Sequence, residues 1–329
     1  MVSKLASLSV LAILSLVLSA CGETEVSNTS TLRVASWSQP ITEQINLLVD
    51  DKKFFSKHNL AIEFIPGAGG GDAIKNIASG KADIAFTDPG SLFAALDKGE
   101  KLIVLYDIYP HNVFNVVALK DSNISRPEDL KGKKIGVYSI SSGTRQNLLV
   151  LLKQAGLTED DVEIITTGVL NFAPLMQGLV DATAATDTGL ATGKAKGLGA
   201  VDVMQVKDYF NYSSDIFVVT EATYEKKHNE LQAFLAGYKD SVQWMMANPE
   251  EAAQRAVKYA IDGKDQAHNL SIIELRNASS LPLSGDITEL GLLDLDNLQE
   301  AADMYYELGL ISQKLDLSQA INKNHVLSK

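Results

Sequence analysis

The chain has 329 residues, 46% of them apolar, and a formal net charge of −12. That length supports two lobes with separate cores, and the acidic balance excludes nucleic acid as a partner because such a partner selects a basic surface. Cys21 is the only cysteine, which excludes an intrachain disulfide, a cysteine metal cluster and a redox pair.

In chain order, Lys4 precedes an uncharged apolar run from Leu5 to Leu18, and the small residues Ser19 and Ala20 follow. That order of basic, apolar and small regions is a signal peptide over 1–20. The run is shorter than the roughly 20 residues a spanning helix needs. Leu18-Ser19-Ala20-Cys21-Gly22 resembles a bacterial lipobox, which makes Cys21 the lipidation site and the membrane anchor. Residues 21–31 are polar and aperiodic and read as a flexible tether.

From Leu32 to Trp37 the pattern is that of a strand, and Ile41, Ile45, Leu48 and Val49 recur at helical spacing. Strands at Ile62–Phe64, Ala82–Phe86 and Leu102–Tyr106 then alternate with helices at Ala73–Ala78 and Ser91–Leu96. After an apolar strand over Val116–Leu119, a second alternating region runs through helix Gln146–Gln154 and strands at Val162–Ile165, Ala182–Ala185 and Val203–Val206. Ile216–Val219 reads as a strand returning to the first lobe, and the last third is mostly helical, with Leu231–Met246 and Pro249–Tyr259 the clearest segments. The expected architecture is α/β, with mostly parallel sheets flanked by helices and a helical C-terminal portion. Lobe I is expected over 32–117 plus 218–329 and lobe II over 118–217, with chain crossings near 117–120 and 214–219 acting as a hinge.

A weak internal repeat is present. Gly80-Lys-Ala-Asp83-Ile-Ala-Phe-Thr87-Asp88-Pro-Gly90 is echoed, with one gap, by Gly178-Leu-Val-Asp181-Ala-Thr-Ala-Ala-Thr186-Asp187-Thr-Gly189. Each copy ends a short apolar strand on Thr-Asp, and ligands bind outside the carboxyl ends of strands in open parallel sheets.

Five strings, in order, carry a resemblance over nearly the whole chain beyond the tether. They are Lys53-Phe54-Phe55-Ser56-Lys57-His58-Asn59-Leu60, the run Gly67 to Gly71, Ala78-Ser79-Gly80-Lys81-Ala82-Asp83-Ile84-Ala85, Asp129 to Val137, and Tyr305-Tyr306-Glu307-Leu308-Gly309-Leu310-Ile311. Together they resemble the solute-binding proteins for thiamine-pyrimidine precursors, riboflavin, alkanesulfonates, taurine and nitrate. The resemblance implies a two-lobed, type II periplasmic-binding fold with a small-molecule ligand in the interlobe cleft. It also implies delivery to an ABC permease with a cytoplasmic ATPase, by a monomer that carries no cofactor and no metal.

By position, that family's cleft residues fall on Trp37, the turn Gly69, Gly70 and Gly71, Thr87 and Asp88, Ser141, Ser142, Gly143 and Thr144, and the segment after Ala185. The chain departs from the family there, with Thr186-Asp187-Thr188 in place of an Asn-Glu-Pro-like string. The residues themselves support ligand contact: a glycine run frees backbone N–H groups, hydroxyls at a helix start face its positive end, and Trp37 can stack on a ring. Tyr109 and Tyr212 are further aromatic candidates, and Asp88 and Asp187 would accept hydrogen bonds from a heterocycle, although helix capping or core packing explains the same residues. These acids favour a thiamine pyrimidine precursor over a sulfonate, taurine or nitrate.

An enzyme or a non-transport surface lipoprotein is the competing class. The five histidines are scattered, and no H-E-x-x-H or G-x-S-x-G occurs. Gly189-Leu-Ala-Thr-Gly193-Lys194-Ala195 is one residue short of a phosphate loop and ends on Ala.

Overall fold

A computed structural model describes residues 29–168 and 171–327. The first sheet opens with β1 (Ser30–Ala35), and helix α1 (Ile45–Leu48) leads to β2 (Leu60–Ile65). Helix α2 (Gly70–Ala78), β3 (Ile84–Thr87), helix α3 (Pro89–Leu96) and β4 (Leu102–Tyr109) follow. The second sheet is built from β5 (Phe114–Leu119), β6 (Lys134–Val137), α4 (Gly143–Gln154), β7 (Glu163–Thr166), α5 (Ala173–Met176), β8 (Ala182–Thr186), α6 (Asp187–Ala195) and β9 (Val201–Gln205). β10 (Asp215–Thr220) returns to the first sheet, and α7 (Glu221–Lys226), α8 (His228–Ala247), α9 (Pro249–Tyr259), α10 (Gln266–Ser279) and α11 (Leu295–Glu307) complete the chain.

The sheet orders are β2-β1-β3-β10-β4 and β7-β6-β8-β5-β9. β10 runs antiparallel to β3 and β4, and β5 runs antiparallel to β8 and β9, while the other pairings are parallel. Each sheet is therefore a parallel set with one reversed strand, and the reversed strand is the one that follows a crossing. β3, β4 and β10 are buried nearly throughout, as expected for strands covered by helices on both faces.

Three expected boundaries shift. Ser30 and Thr31 pair with Leu60 and Ala61, so β1 takes in the last residues assigned to the tether; the signal peptide and Cys21 lie outside the described residues. β5 pairs over its whole length inside the second sheet, which places the first crossing at 110–113 rather than 117–120. β10 belongs wholly to the first sheet, so the second crossing ends at residue 214 instead of lying over 214–219. An apolar strand string states that a strand exists; which sheet accepts it depends on partners far away in sequence.

The two crossings are bonded to each other. Val113 N donates to Ser214 Oγ at 2.8 Å, Asn112 N donates to Asn211 Oδ1 at 3.0 Å, and Ser214 N donates to the Tyr109 carbonyl at 2.8 Å.

The internal repeat has a structural meaning. Asp83 N donates to the Arg33 carbonyl while Arg33 N donates back to the Asp83 carboxylate at 2.9 Å. In the second lobe Asp181 N donates to Lys134 O while Lys134 N donates to Asp181 Oδ2 at 2.8 Å. The two aspartates thus fix the register of β3 on β1 and of β8 on β6. A glycine at positive φ, Gly80 at 71° and Gly178 at 69°, turns the chain into each copy.

Candidate functional site

The carboxyl ends of both sheets face one another across a cleft. A cavity of about 270 Å³ lies there, with walls from the first lobe (Trp37, Ser38, Glu43) and from the second (Tyr138, Asn171, Thr188). A notch of about 30 Å³ adjoins it and shares Trp37, Tyr138, Thr144 and Thr186, with Asp88, Asp215 and Phe114 farther in.

Trp37 leaves β1 on a backbone held by Gly69, whose N–H donates to the Trp37 carbonyl at 2.7 Å. Its ring meets Tyr138 of the opposite lobe edge to face, with centroids 6.1 Å apart and planes at 86°, and stands 6.4 Å from Phe86. Its Nε1 is buried with no hydrogen-bond partner, leaving a donor at the wall shared by both spaces. Tyr138 N in turn donates to Thr144 Oγ1 at 3.0 Å, which ties the aromatic wall to the start of α4.

Two aspartates line the notch. Asp88 caps α3, its carboxylate accepting from Ser91 N and Ser91 Oγ, both at 2.8 Å. Burial pushes its carboxyl up to about 6, against the lowering effect of those bonds. Asp215, 6% exposed, is held well above the usual carboxylate range, by burial first and then by Asp88, with Arg276 acting in the opposite sense.

A second polar group ties the lobes at the cleft edge. Arg276 on α10 is 1% exposed; its Nε donates to Glu43 at 2.6 Å, its Nη2 donates to Thr188 Oγ1 at 2.7 Å, and its Nη1 pairs with Asp187 at 2.8 Å. Thr188 Oγ1 also donates to Glu43 Oε2 at 2.8 Å, and the guanidinium lies 4.9 Å from the Tyr109 ring centre. Burial alone would lower the arginine pKa; Asp187 and Glu43 hold it above the ordinary value.

The structure brings Trp37, Gly69, Gly70, Asp88, Ser142, Gly143 and Thr144 to the cavity walls. Gly71 and Ser141 instead join the lobe rims, Gly71 N donating to the Ser141 carbonyl at 2.9 Å. Thr87 lies fully buried behind Gly70, its Oγ1 unpartnered. Asp187 and Tyr109 reach Arg276 rather than the cavity. Tyr212 is buried and lines neither space, its hydroxyl donating to Asn147 at 3.1 Å and 3.0 Å from the Tyr305 hydroxyl. Sequence reasoning missed Tyr138, Asp215, Glu43 and Arg276. Tyr138 carried a usable signal, since an aromatic closely follows β6 as Trp37 closely follows β1. Glu43 and Arg276 lie 233 positions apart and carried none.

A family profile described as NMT1/THI5 like matches residues 42–252. The chain belongs to that family. Among relatives, a putative thiamine biosynthesis protein of Haemophilus influenzae is 27% identical over 83% of this chain and 85% of that one. The taurine-binding periplasmic protein of Escherichia coli K12 is 26% identical over 64% of this chain and 66% of its own length. Among solved structures, the periplasmic aliphatic sulphonate binding protein SsuA of Escherichia coli superposes with a TM-score of 0.66 at 19% identity, covering 90% of this chain and 98% of that one. The two-lobed periplasmic-binding fold is therefore shared by this NMT1/THI5-like chain.

Proposed function

We propose that this chain is the lipid-anchored solute-binding subunit of an ABC importer. It captures an aromatic nitrogen heterocycle, such as a thiamine pyrimidine precursor, and delivers it to a permease with a cytoplasmic ATPase. The observation that carries this reading is the pairing of Trp37 with Tyr138 across the cleft, above the buried acceptors Asp88 and Asp215. A flat ring in the larger cavity can pack against this aromatic wall, and ring or amino N–H groups match carboxylates. Two buried acids oppose an anionic ligand. The relative described as a thiamine biosynthesis protein agrees with this ligand class.

The taurine- and sulphonate-binding relatives favour a second reading, an anionic solute, for which Lys196 at the larger cavity is the available cation. The relatives named as binding proteins support a role in binding, here as a monomer carried on lipid at Cys21.

Mass spectrometry of small molecules released from the purified protein on denaturation, followed by calorimetry with aminopyrimidines, flavins, alkanesulfonates, taurine and nitrate, tests the ligand class. Affinity for a sulfonate, taurine or nitrate with none for aminopyrimidines overturns it. Replacement of Cys21 by Ala should move the protein from the membrane to the soluble fraction.

A further inference from the structure

Asp215 is the first residue of β10, placed where the chain re-enters the first sheet after the second crossing. Its side chain lines the notch, it is 6% exposed, and among the described residues nothing hydrogen-bonds to its carboxylate. A carboxylate buried to that degree is costly without a partner.

The neighbouring groups do not supply one. Asp88, Glu43 and Asp107 face it as acids, and Tyr109 and Tyr238 are buried phenols beside it. Arg276, the cation acting on it, is already engaged by Glu43, Asp187 and Thr188. Asp88 has committed an oxygen to each of the two Ser91 donors. The notch therefore presents an unused acceptor with an excess of acid around it. Its volume of about 30 Å³ holds one small group, given that a water needs about 10–15 Å³ on the same measure. An unused carboxylate acceptor in an acidic notch fits a nitrogen cation, which donates N–H bonds and offsets the charge.

We infer that Asp215 reads ligand charge: the notch takes a primary ammonium carried by the ring that occupies the larger cavity. This rests on the aromatic-heterocycle reading and narrows it to cationic members of the class. The Trp37 Nε1 donor at the shared wall then meets a ring nitrogen of the same ligand. An ammonium beside Asp215 favours its ionised form, so binding expels a proton from the site and affinity rises with pH over the range in which the free carboxyl is protonated.

Calorimetry with two probes tests this: a 4-amino-5-(aminomethyl)pyrimidine, and the counterpart bearing hydroxymethyl in place of aminomethyl. The wild-type protein should bind the amine at least tenfold more tightly and, in buffers of different ionisation enthalpy, release a proton with the amine only. Asp215→Asn should reduce that ratio to within threefold and remove the proton release. Asp215→Ser, with a thermal melt for each variant, covers the case in which the amide fails to fold. If both probes bind wild type equally, or Asp215 variants that fold keep the tenfold ratio, the charge-reading role falls while the heterocycle reading stands. If neither probe binds, both fall.

Discussion

Asp187, at the first turn of α6 in the second lobe, pairs at 2.8 Å with Arg276, which is buried on α10 of the first. The arginine also holds Glu43 of its own lobe, so one guanidinium joins an acid from each lobe. Replacing the two acids therefore has different consequences from replacing the base.

Arg276→Met leaves Glu43 buried without its cation and should cost about 3–5 kcal/mol of stability, the usual result of removing one member of a buried pair. Asp187→Ala leaves Arg276 bonded to Glu43 and Thr188 and should leave the thermal midpoint within a few degrees while weakening ligand binding about tenfold. Calorimetric melting with and without ligand separates the two. Equal melting for both variants would show that the arginine is not shared between the lobes in this way.

Trp37 and Trp244 are the only tryptophans. Trp244 packs against Phe54 and lies near Lys52 and Arg255, remote from the cleft. Ligand addition should change the emission of Trp37 alone. Trp37→Phe should abolish the response and Trp244→Phe should preserve it; Trp37→Ala, which removes the wall, should weaken binding tenfold or more.

The buried acids set the pH dependence of folding. Asp107 is pushed up to about 7, by burial above all, against a 2.6 Å hydrogen bond from Ser213, and Asp88 is pushed up to about 6. A carboxyl whose folded pKa lies above the unfolded value binds more protons when folded, so its contribution is full at low pH and is lost as pH rises through the window. Stability should fall from about pH 4 to pH 7, each group contributing a slope of up to about 1.4 kcal/mol per pH unit. Asp83 acts in the opposite sense: burial raises its pKa, but hydrogen bonds from Arg33 and Lys227 outweigh this and hold it at about 2, so its contribution is lost as pH falls from about 4 to 2. The thermal midpoint of the ligand-free protein should therefore peak near pH 4–5. Asp107→Asn should raise it at pH 7 and flatten the slope between pH 5 and 7; an unchanged slope would assign the dependence elsewhere.

Glycines 70 and 71 should respond unequally to alanine. A Cβ on Gly70 would come within 2.2 Å of Asp88 Oδ2 and 2.6 Å of Thr87 Oγ1, closing the notch from behind. A Cβ on Gly71 would meet the Ser141 side chain at 3.2 Å, across the lobe rim. Gly70→Ala should abolish ligand binding in titration calorimetry, whereas Gly71→Ala should weaken it by less than tenfold.

Much of this was legible in the chain. The strand–helix alternation, the paired Gly-x-x-Asp strings and the Pro249 helix start all act locally, through φ preference, capping and side-chain period, and the structure follows them. The repeat even announced a bond it could not show, the return hydrogen bond from Arg33 and Lys134 to Asp83 and Asp181. What stayed hidden depends on long-range pairing. The sequence did not show that Asp187 pairs with Arg276 on α10, and Asp215 drew no reading because its burial comes from elements on both sides of the crossing. An aromatic beside a crossing, such as Tyr212, is also well placed to fill the gap between α4 and α11, where its hydroxyl meets Asn147 and Tyr305.

The bonds between the two crossings have a mechanical consequence. Two unconnected linkers would each be free to move alone, but Asn112 to Asn211 and Val113 to Ser214 tie the two crossings side by side into one bar. Asp215 stands at the end of that bar. A group seated against it therefore touches the connection between the lobes as well as a wall of the notch.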